Sequence, residues 1–220
     1  MKKIAAALLL CVLVFPVKAA DYVALSFDDG PSGDNTAALM QVLEEKGVKA
    51  TFFLCGYRME LYPDTTKALS EAGHELGLHG YQHVCMDGLS QEELTNEIKD
   101  VWIEKLTGQH PTLLRPPCGA FNEQVCAEAK RQGMKVILWS VDPEDWKYPD
   151  KGKIVRHVCD NTRPGRIILL HDLYPATVAA TGEIIDNLRA KGYQFVTVSE
   201  LAEKYQTPME PGIMYREFYP

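Results

Sequence analysis

The feature that most constrains the fold is a repeated alternation. Short runs rich in β-branched and aromatic residues are each followed by a stretch of helical period. The runs are YVALSF (22–27), KATFFL (49–54), HELGLH (74–79), TLLRPP (112–117), KVILWS (135–140), RIILLH (166–171) and QFVTVS (194–199). Helices are predicted between them at about 35–46, 64–72, 90–107, 122–132, 151–162 and 175–190, with a short one after the seventh run. The third helix opens on a Ser90-x-x-Glu93 capping box, closes at Gly108, and sets Leu94, Ile98, Val101 and Lys105 on one face. Strands alternating with helices pair in parallel through right-handed crossovers. Seven strands are one short of a closed eight-stranded barrel. The expected fold is therefore α/β, a distorted, incomplete (β/α)7 barrel in a single domain, and 220 residues suffice for its core.

The chain opens differently. Lys2 and Lys3 precede an apolar run, and Val17 and Ala19 fit a small-residue cleavage site. Residues 1–20 read as a secretory signal peptide, too short for a comfortable membrane span, which makes the protein secreted or resident in the cell envelope. The formal net charge is −7, and loss of a leader carrying Lys2, Lys3 and Lys18 leaves the rest more acidic still. Such a balance argues against nucleic acid and anionic lipid as partners. Of six cysteines, Cys11 leaves with the leader. An oxidising destination permits disulfides, and the expected pairs are Cys55–Cys85 and Cys118–Cys126, with Cys159 left over. Five buried free thiols are the alternative. The proline-rich tail from Tyr205 reads as an extended segment strapped over the surface.

In parallel α/β folds ligands bind at the carboxyl ends of the strands, and the polar residues gather there. Asp28 and Asp29 end the first run, His79 the third with His83 four residues on, Arg115 lies in the fourth, Asp142, Asp145 and Trp146 follow the fifth, and His171 ends the sixth. Each alone has a plain reading as a turn, a cap or a solvated charge. Together they place acids, imidazoles and a guanidinium on one rim. The spacing of His79 and His83 lets two imidazoles meet one ion, and Asp29 would complete a two-His, one-carboxylate site suited to zinc or another divalent transition ion. A bound ion would also explain the adjacent aspartates, one coordinating and one left as a base. Arg115 would orient an aspartate placed opposite it. Asp145 would fix the ring of His171 as a general acid, and Asp142 before Pro143 starts a turn. His74, His110 and His157 lie off the rim and are read as structural.

Five motifs in order, SFDDG (26–30), HGYQH (79–83), RPPC (115–118), DPEDW (142–146) and LLH (169–171), resemble the polysaccharide deacetylases of carbohydrate esterase family 4, which share the NodB homology domain. The likeness spans about 21–206, leaving 207–220 as a tail. It implies Asp28 as catalytic base and Asp29, His79 and His83 as ligands of one divalent metal, zinc or cobalt. It further implies Arg115 as the residue orienting the base, Asp145 as the one tuning the acid, and His171 as the acid. Leu169 and Trp146 would be apolar walls around an acetyl methyl, and the backbone N–H of Cys118 an oxyanion donor. The family usually has Ser or Thr where Gly80 stands and Tyr where Cys118 stands. The implied activity is removal of N-acetyl groups from N-acetylglucosamine in peptidoglycan or chitin-type oligosaccharides. An O-acetyl esterase acting on xylan or another acetylated glycan would use the same residues. A silent glycan-binding protein would have lost one of them, and a phosphoesterase would need a phosphate-cradling glycine loop that the sequence lacks.

Overall fold

β1 (Asp21–Asp28) pairs along its whole length because three strands share it: β2 (Thr51–Leu54) on one side, and β6 (Ile167–His171) and β7 (Tyr193–Val196) on the other. Beyond β2 the computed structural model, which describes residues 20–99 and 101–219, adds β3 (Glu75–Leu78), β4 (Leu113–Leu114), β5 (Lys135–Ile137) and β8 (Met214–Tyr215). Every pairing is parallel, in the order β6-β1-β2-β3-β4-β5-β8 with β7 beside the first half of β1. Among the described residues no ladder joins the two ends. Two isolated bridges span the opening: Val141–Ile168 joins the segment after β5 to β6, and Arg166–Glu217 joins the residue before β6 to the segment after β8. The result is the expected distorted (β/α)7 half-barrel in one domain.

Helices α1 (Asp34–Glu45), α2 (Gly56–Leu61), α3 (Pro63–Glu71), α4 (Gln91–Ile98), α5 (Ile103–Thr107), α6 (Glu123–Arg131), α7 (Lys151–Asn161) and α8 (Pro175–Ala190) surround the sheet. The short α9 (Val198–Lys204) packs inside, with Val198, Leu201 and Ala202 in the inner core.

Side chains alternate across a strand with a period of two, and here that parity sorts two cores from one another. Leu25, Phe27, Phe52, Leu54, Leu78, Leu114, Ile168 and Leu170 face the helices. Ala24, Phe53, Leu113, Ile137 and Ile167 face inward. Counting on by twos from the inward set reaches Ser26 and Asp28, Arg115, and Leu169 and His171. The same alternation in β3 leads from Gly77 to His79. The polar residues at the rim are thus continuations of the inward-facing rows.

Four expectations need correction. The predicted helix over 90–107 is two helices: its capping box is present, but Lys99 takes extended backbone, so Leu94 and Ile98 are buried while Val101 is exposed. α2 was not predicted, because GYRMEL has no apolar period. The tail is more than a strap, since Met214–Tyr215 adds a strand to β5 and Phe218 is buried in the inner core. Cys85 pairs with Cys118, whose Cα atoms lie 5.8 Å apart, and Cys55, Cys126 and Cys159 are free. Cys55 ends up under the sheet rim with its thiol on His79 O, turned to the backbone rather than to Cys85. The predicted signal peptide lies outside the described residues, apart from Ala20. Among the described residues no helix is long and apolar enough to cross a membrane.

Candidate active site

The register of β1 against β6 sets Asp28 directly beside His171. β3 and β4 bring His79 and Arg115 together in the same way, with Arg115 N–H donating to Leu78 O at 2.8 Å. Asp28, His171 and His79, with the loops after their strands, line one cleft of about 530 Å³, which also takes in Asp29, His83, Cys118, Trp146 and Leu169. Of the residue types expected at the rim, the acids and imidazoles meet in the cleft, while the guanidinium lies behind it. Arg115 and Asp145 do not reach the cleft. Both are fully buried, one behind Asp28 and one behind His171.

Arg115 is held on every side. Its Nη1 donates to Asp28 Oδ1 at 2.6 Å and to Ser26 Oγ at 2.9 Å, while Nε and Nη2 donate to Ile137 O and Leu138 O. Its guanidinium lies 4.0 Å from the centre of the Phe53 ring. A buried charge is tolerated only when paired and hydrogen-bonded, and this one is both.

On the acid side, His171 Nδ1 donates to Asp145 Oδ1 at 2.7 Å, and the His171 main-chain N–H donates to Asp145 Oδ2 at 2.9 Å. Thr177, in the first turn of α8, adds its hydroxyl to the same oxygen at 2.6 Å. Burial works against an imidazolium, but the Asp145 carboxylate outweighs it and pushes His171 up to about 9. With Nδ1 committed, Nε2 is the nitrogen left for proton transfer in the cleft.

Asp29, His79 and His83 form the third group, their ligand atoms within 4.8 Å of one another. His79 Nε2 and His83 Nε2 approach Asp29 Oδ1 at 3.3 and 3.0 Å. His79 Nδ1 donates to Arg115 O at 2.7 Å, so the neutral ring turns an unprotonated Nε2 toward that oxygen. Acceptor then faces acceptor. Asp29 Oδ1 is itself buried without a hydrogen-bond donor of proper geometry. A cation among the three resolves both conflicts, and two imidazoles with one carboxylate suit a borderline divalent ion such as zinc. The residues fit a metal.

The local backbone explains why this sequence is needed. Asp29 adopts a left-handed φ of 73°, which turns its carboxylate away from the β1 row carrying Asp28. Gly30 follows because a methyl group there would collide with the Asp172 carboxylate. Gly80 has φ 73°, and a Cβ would press on the Glu97 carboxylate. Glu97 instead accepts the Tyr81 and Gln82 N–H groups at 2.8 and 2.9 Å. Glu97 thus ties down the loop at Gly80, the position where a Ser or Thr is usual in the family that the motifs resemble.

The sequence did not disclose Trp139 and Tyr174 in the cleft wall, nor the buried Asp172 and Glu97 beside it. Asp172 is buried, accepts from the Thr36 hydroxyl through Oδ2, has Oδ1 unpaired, and is pushed up to about 7 by burial. Its position after His171 was the available signal. Glu97 gives none, since it sits in a polar helical string. Asp142 is a turn residue, accepting from Glu144 N–H, but it also accepts the Trp139 indole N–H and lines the cleft. His74, His110 and His157 lie away from the cleft. His74 is buried and drops to about 4 through burial, accepting from Ala50 N–H.

A family model for polysaccharide deacetylase matches residues 17–137. The peptidoglycan-N-acetylmuramic acid deacetylase PdaC of Bacillus subtilis is 42% identical over 183 residues, 82% of this chain. This chain spans only 38% of the PdaC length. A peptidoglycan-N-acetylglucosamine deacetylase of Bacillus cereus is 40% identical over 186 residues, covering 81% of this chain and 87% of the relative. A solved structure described as T48 deacetylase with substrate superposes with a TM-score of 0.84 at 36% identity, covering 89% of this chain and 96% of that one. Motifs, half-barrel and matches agree, and the chain belongs to the polysaccharide deacetylase family.

Proposed function

We propose that this chain is a metal-dependent hydrolase that removes N-acetyl groups from N-acetylglucosamine residues of an extracellular polysaccharide, peptidoglycan or a chitin-type oligosaccharide. The observation that carries the reading is the pairing of Asp28 with His171 across β1 and β6, each backed by its own buried counter-charge, beside the Asp29–His79–His83 cluster. Two relatives named for peptidoglycan deacetylation support the substrate class. They differ in the sugar named, N-acetylmuramic acid or N-acetylglucosamine, at nearly equal identity.

Asp29, His79 and His83 would hold one divalent ion, zinc or cobalt, which supplies Lewis acidity for a water molecule and for the acetyl carbonyl. Asp28 takes the proton of the attacking water, its Oδ1 anchored by Arg115 and Oδ2 left toward the cleft. The main-chain N–H of Cys118 has no acceptor among the described residues and faces the developing oxyanion, a contribution of roughly 3 kcal/mol for one good donor. His171, protonated at Nε2, delivers its proton to the departing amine. An amide needs that step because an amine anion is a very poor leaving group. Leu169 and Trp146 form the apolar surface against the acetyl methyl. Export through residues 1–20 would bring the enzyme to its substrate.

Acetate release from N-acetylated chitooligosaccharide and from peptidoglycan tests the reading, using chelated protein before and after adding zinc or cobalt. Release that requires the ion and disappears in Asp28→Asn is the expected result. Release only from acetylated xylan would replace the amidase by an O-acetyl esterase on the same residues.

A further inference from the structure

His83 is the least secured of the three candidate ligands. His79 is buried and its ring is fixed by Arg115 O, and Asp29 lies on the turn closing β1. His83 is more than a third exposed and sits at a left-handed φ of 58°, which an L-residue keeps only when held. The loop around it is bound unevenly. Gly80 O and Tyr81 O accept from Gly56 and Tyr57, and Glu97 takes the N–H groups of Tyr81 and Gln82. Past Gln82 this support ends. No main-chain group of His83 or Val84 has a hydrogen-bond partner among the described residues.

The next tie is covalent. Cys85, two residues after His83, is joined to Cys118 across 33 residues of sequence. Cys118 is itself left-handed, φ 61°, and its N–H is the candidate oxyanion donor. One S–S bond therefore links the loop that presents a metal ligand, short of main-chain hydrogen bonds past Gln82, to the turn that presents the carbonyl-binding N–H, which is closed by Gly119 N–H to Pro116 O and Ala120 N–H to Pro117 O. Neither Cys55 nor Cys126 nor Cys159 makes such a link.

We propose that the Cys85–Cys118 disulfide is the positioning device of this site, holding His83 and the Cys118 N–H in register, so that metal retention and turnover both require the oxidised chain. This rests on the deacetylase reading for its catalytic half only. A dithiol reductant delivers two electrons and two protons, breaks the S–S bond into two thiols, and is oxidised to its own disulfide. The chain synthesised in a reducing compartment would then hold metal weakly and gain its full site on reaching an oxidising one.

The test compares three forms of the full chain: oxidised, dithiol-reduced, and the double variant Cys85→Ser/Cys118→Ser. Zinc affinity is read by competition with a chromogenic chelator, and folding by circular dichroism and thermal melting. The expected outcome is a zinc affinity lower by about 10 to 100-fold in the double variant, the range for loss of groups that orient metal ligands. Reduction moves the intact protein to the same value and leaves the variant unchanged. On whichever acetylated substrate the oxidised form cleaves, kcat falls in parallel. Equal zinc affinity in all three forms overturns the proposal. So does tighter zinc binding in the reduced protein with no loss in the variant, since the thiols would then be acting as ligands. If the double variant fails to fold, the reduced intact protein, checked for native circular dichroism, carries the same comparison. Silence on every substrate would count against the deacetylase reading, while the zinc affinities would still decide the role of the disulfide.

Discussion

The two sides of the cleft use the same means to different ends. On the base side, Arg115 is wholly buried, bonded to Asp28, Ser26 and two main-chain carbonyls, and packed on Phe53. On the acid side, a buried aspartate holds a histidine, and the histidine opens on the cleft. The first pair is a fixed charge, because a guanidinium does not titrate in the working range of a protein. The second contains a group that gains and loses a proton at about pH 9. One counter-ion is part of the scaffold, and the other sets a proton affinity.

Breaking the base side should show as lost fold. Arg115→Met leaves the Asp28 carboxylate buried without a partner, a cost of about 3–5 kcal/mol, and a thermal melt should fall steeply with activity gone. A melt near that of the parent would mean that water reaches Asp28 and the pair is no scaffold. Asp28→Asn is milder for stability, because Arg115 retains its other three acceptors, but turnover should drop by roughly 10²–10⁴-fold, the span for loss of a general base. A variant with most of its kcat intact would remove Asp28 from the mechanism.

Breaking the acid side should instead move a pH profile. His171 is raised to about 9 from an ordinary value of about 6.5. A raised imidazole contributes stability in full below the unfolded value and loses it as pH climbs through the folded one. The melting temperature of the parent should therefore decline between about pH 7 and pH 10, and Asp145→Asn should flatten that decline. The acid must be protonated to work, so the alkaline limb of kcat should shift to lower pH in Asp145→Asn by about 1–3 units, the usual effect of one neighbouring charge. An unmoved limb would assign it to another group. The smallest effect expected is that of Thr177→Val, which removes one hydroxyl from a carboxylate that keeps two other donors. Stability should fall by about 1.5 kcal/mol, with the limb displaced in the direction of Asp145→Asn but by less. A loss equal to that of Arg115→Met would erase the distinction between the two sides.

Much of this was legible because strand runs such as RIILLH and YVALSF are long and apolar and lead directly into an ionisable residue, His171 in one and Asp28 after the other. Their parity alone sends Asp28 and His171 to the same face. The motifs supplied the rest of the cleft, and every residue they pointed to lies in it or directly behind it. What stayed hidden has physical causes. Glu97 looks like any solvated helix residue until the fold buries it under Gly80. The break between α4 and α5 escapes a periodicity reading because Val101 keeps the apolar spacing while the backbone at Lys99 does not. Cysteine pairing depends on which loops meet above the sheet, which spacing along the chain does not encode. β8 is two residues among prolines, too short to carry a pattern, and exists only because β5 offers it an edge.

That last strand sets the order in which the molecule can be completed. The N–H groups of Val136 and Leu138 are taken by Ile213 O and Tyr215 O, and Phe218 fills the inner core while its N–H meets Gly165 O. β5 is made some eighty residues before these partners (on the order of several seconds of synthesis at ordinary elongation rates). Through that interval one flank of the sheet stays open, and an open flank is where chains stick to one another. The half-barrel therefore cannot mature strand by strand in the order of synthesis. It waits for residues 213–218, and a chain lacking them would carry both an open flank and a hole the size of a phenylalanine.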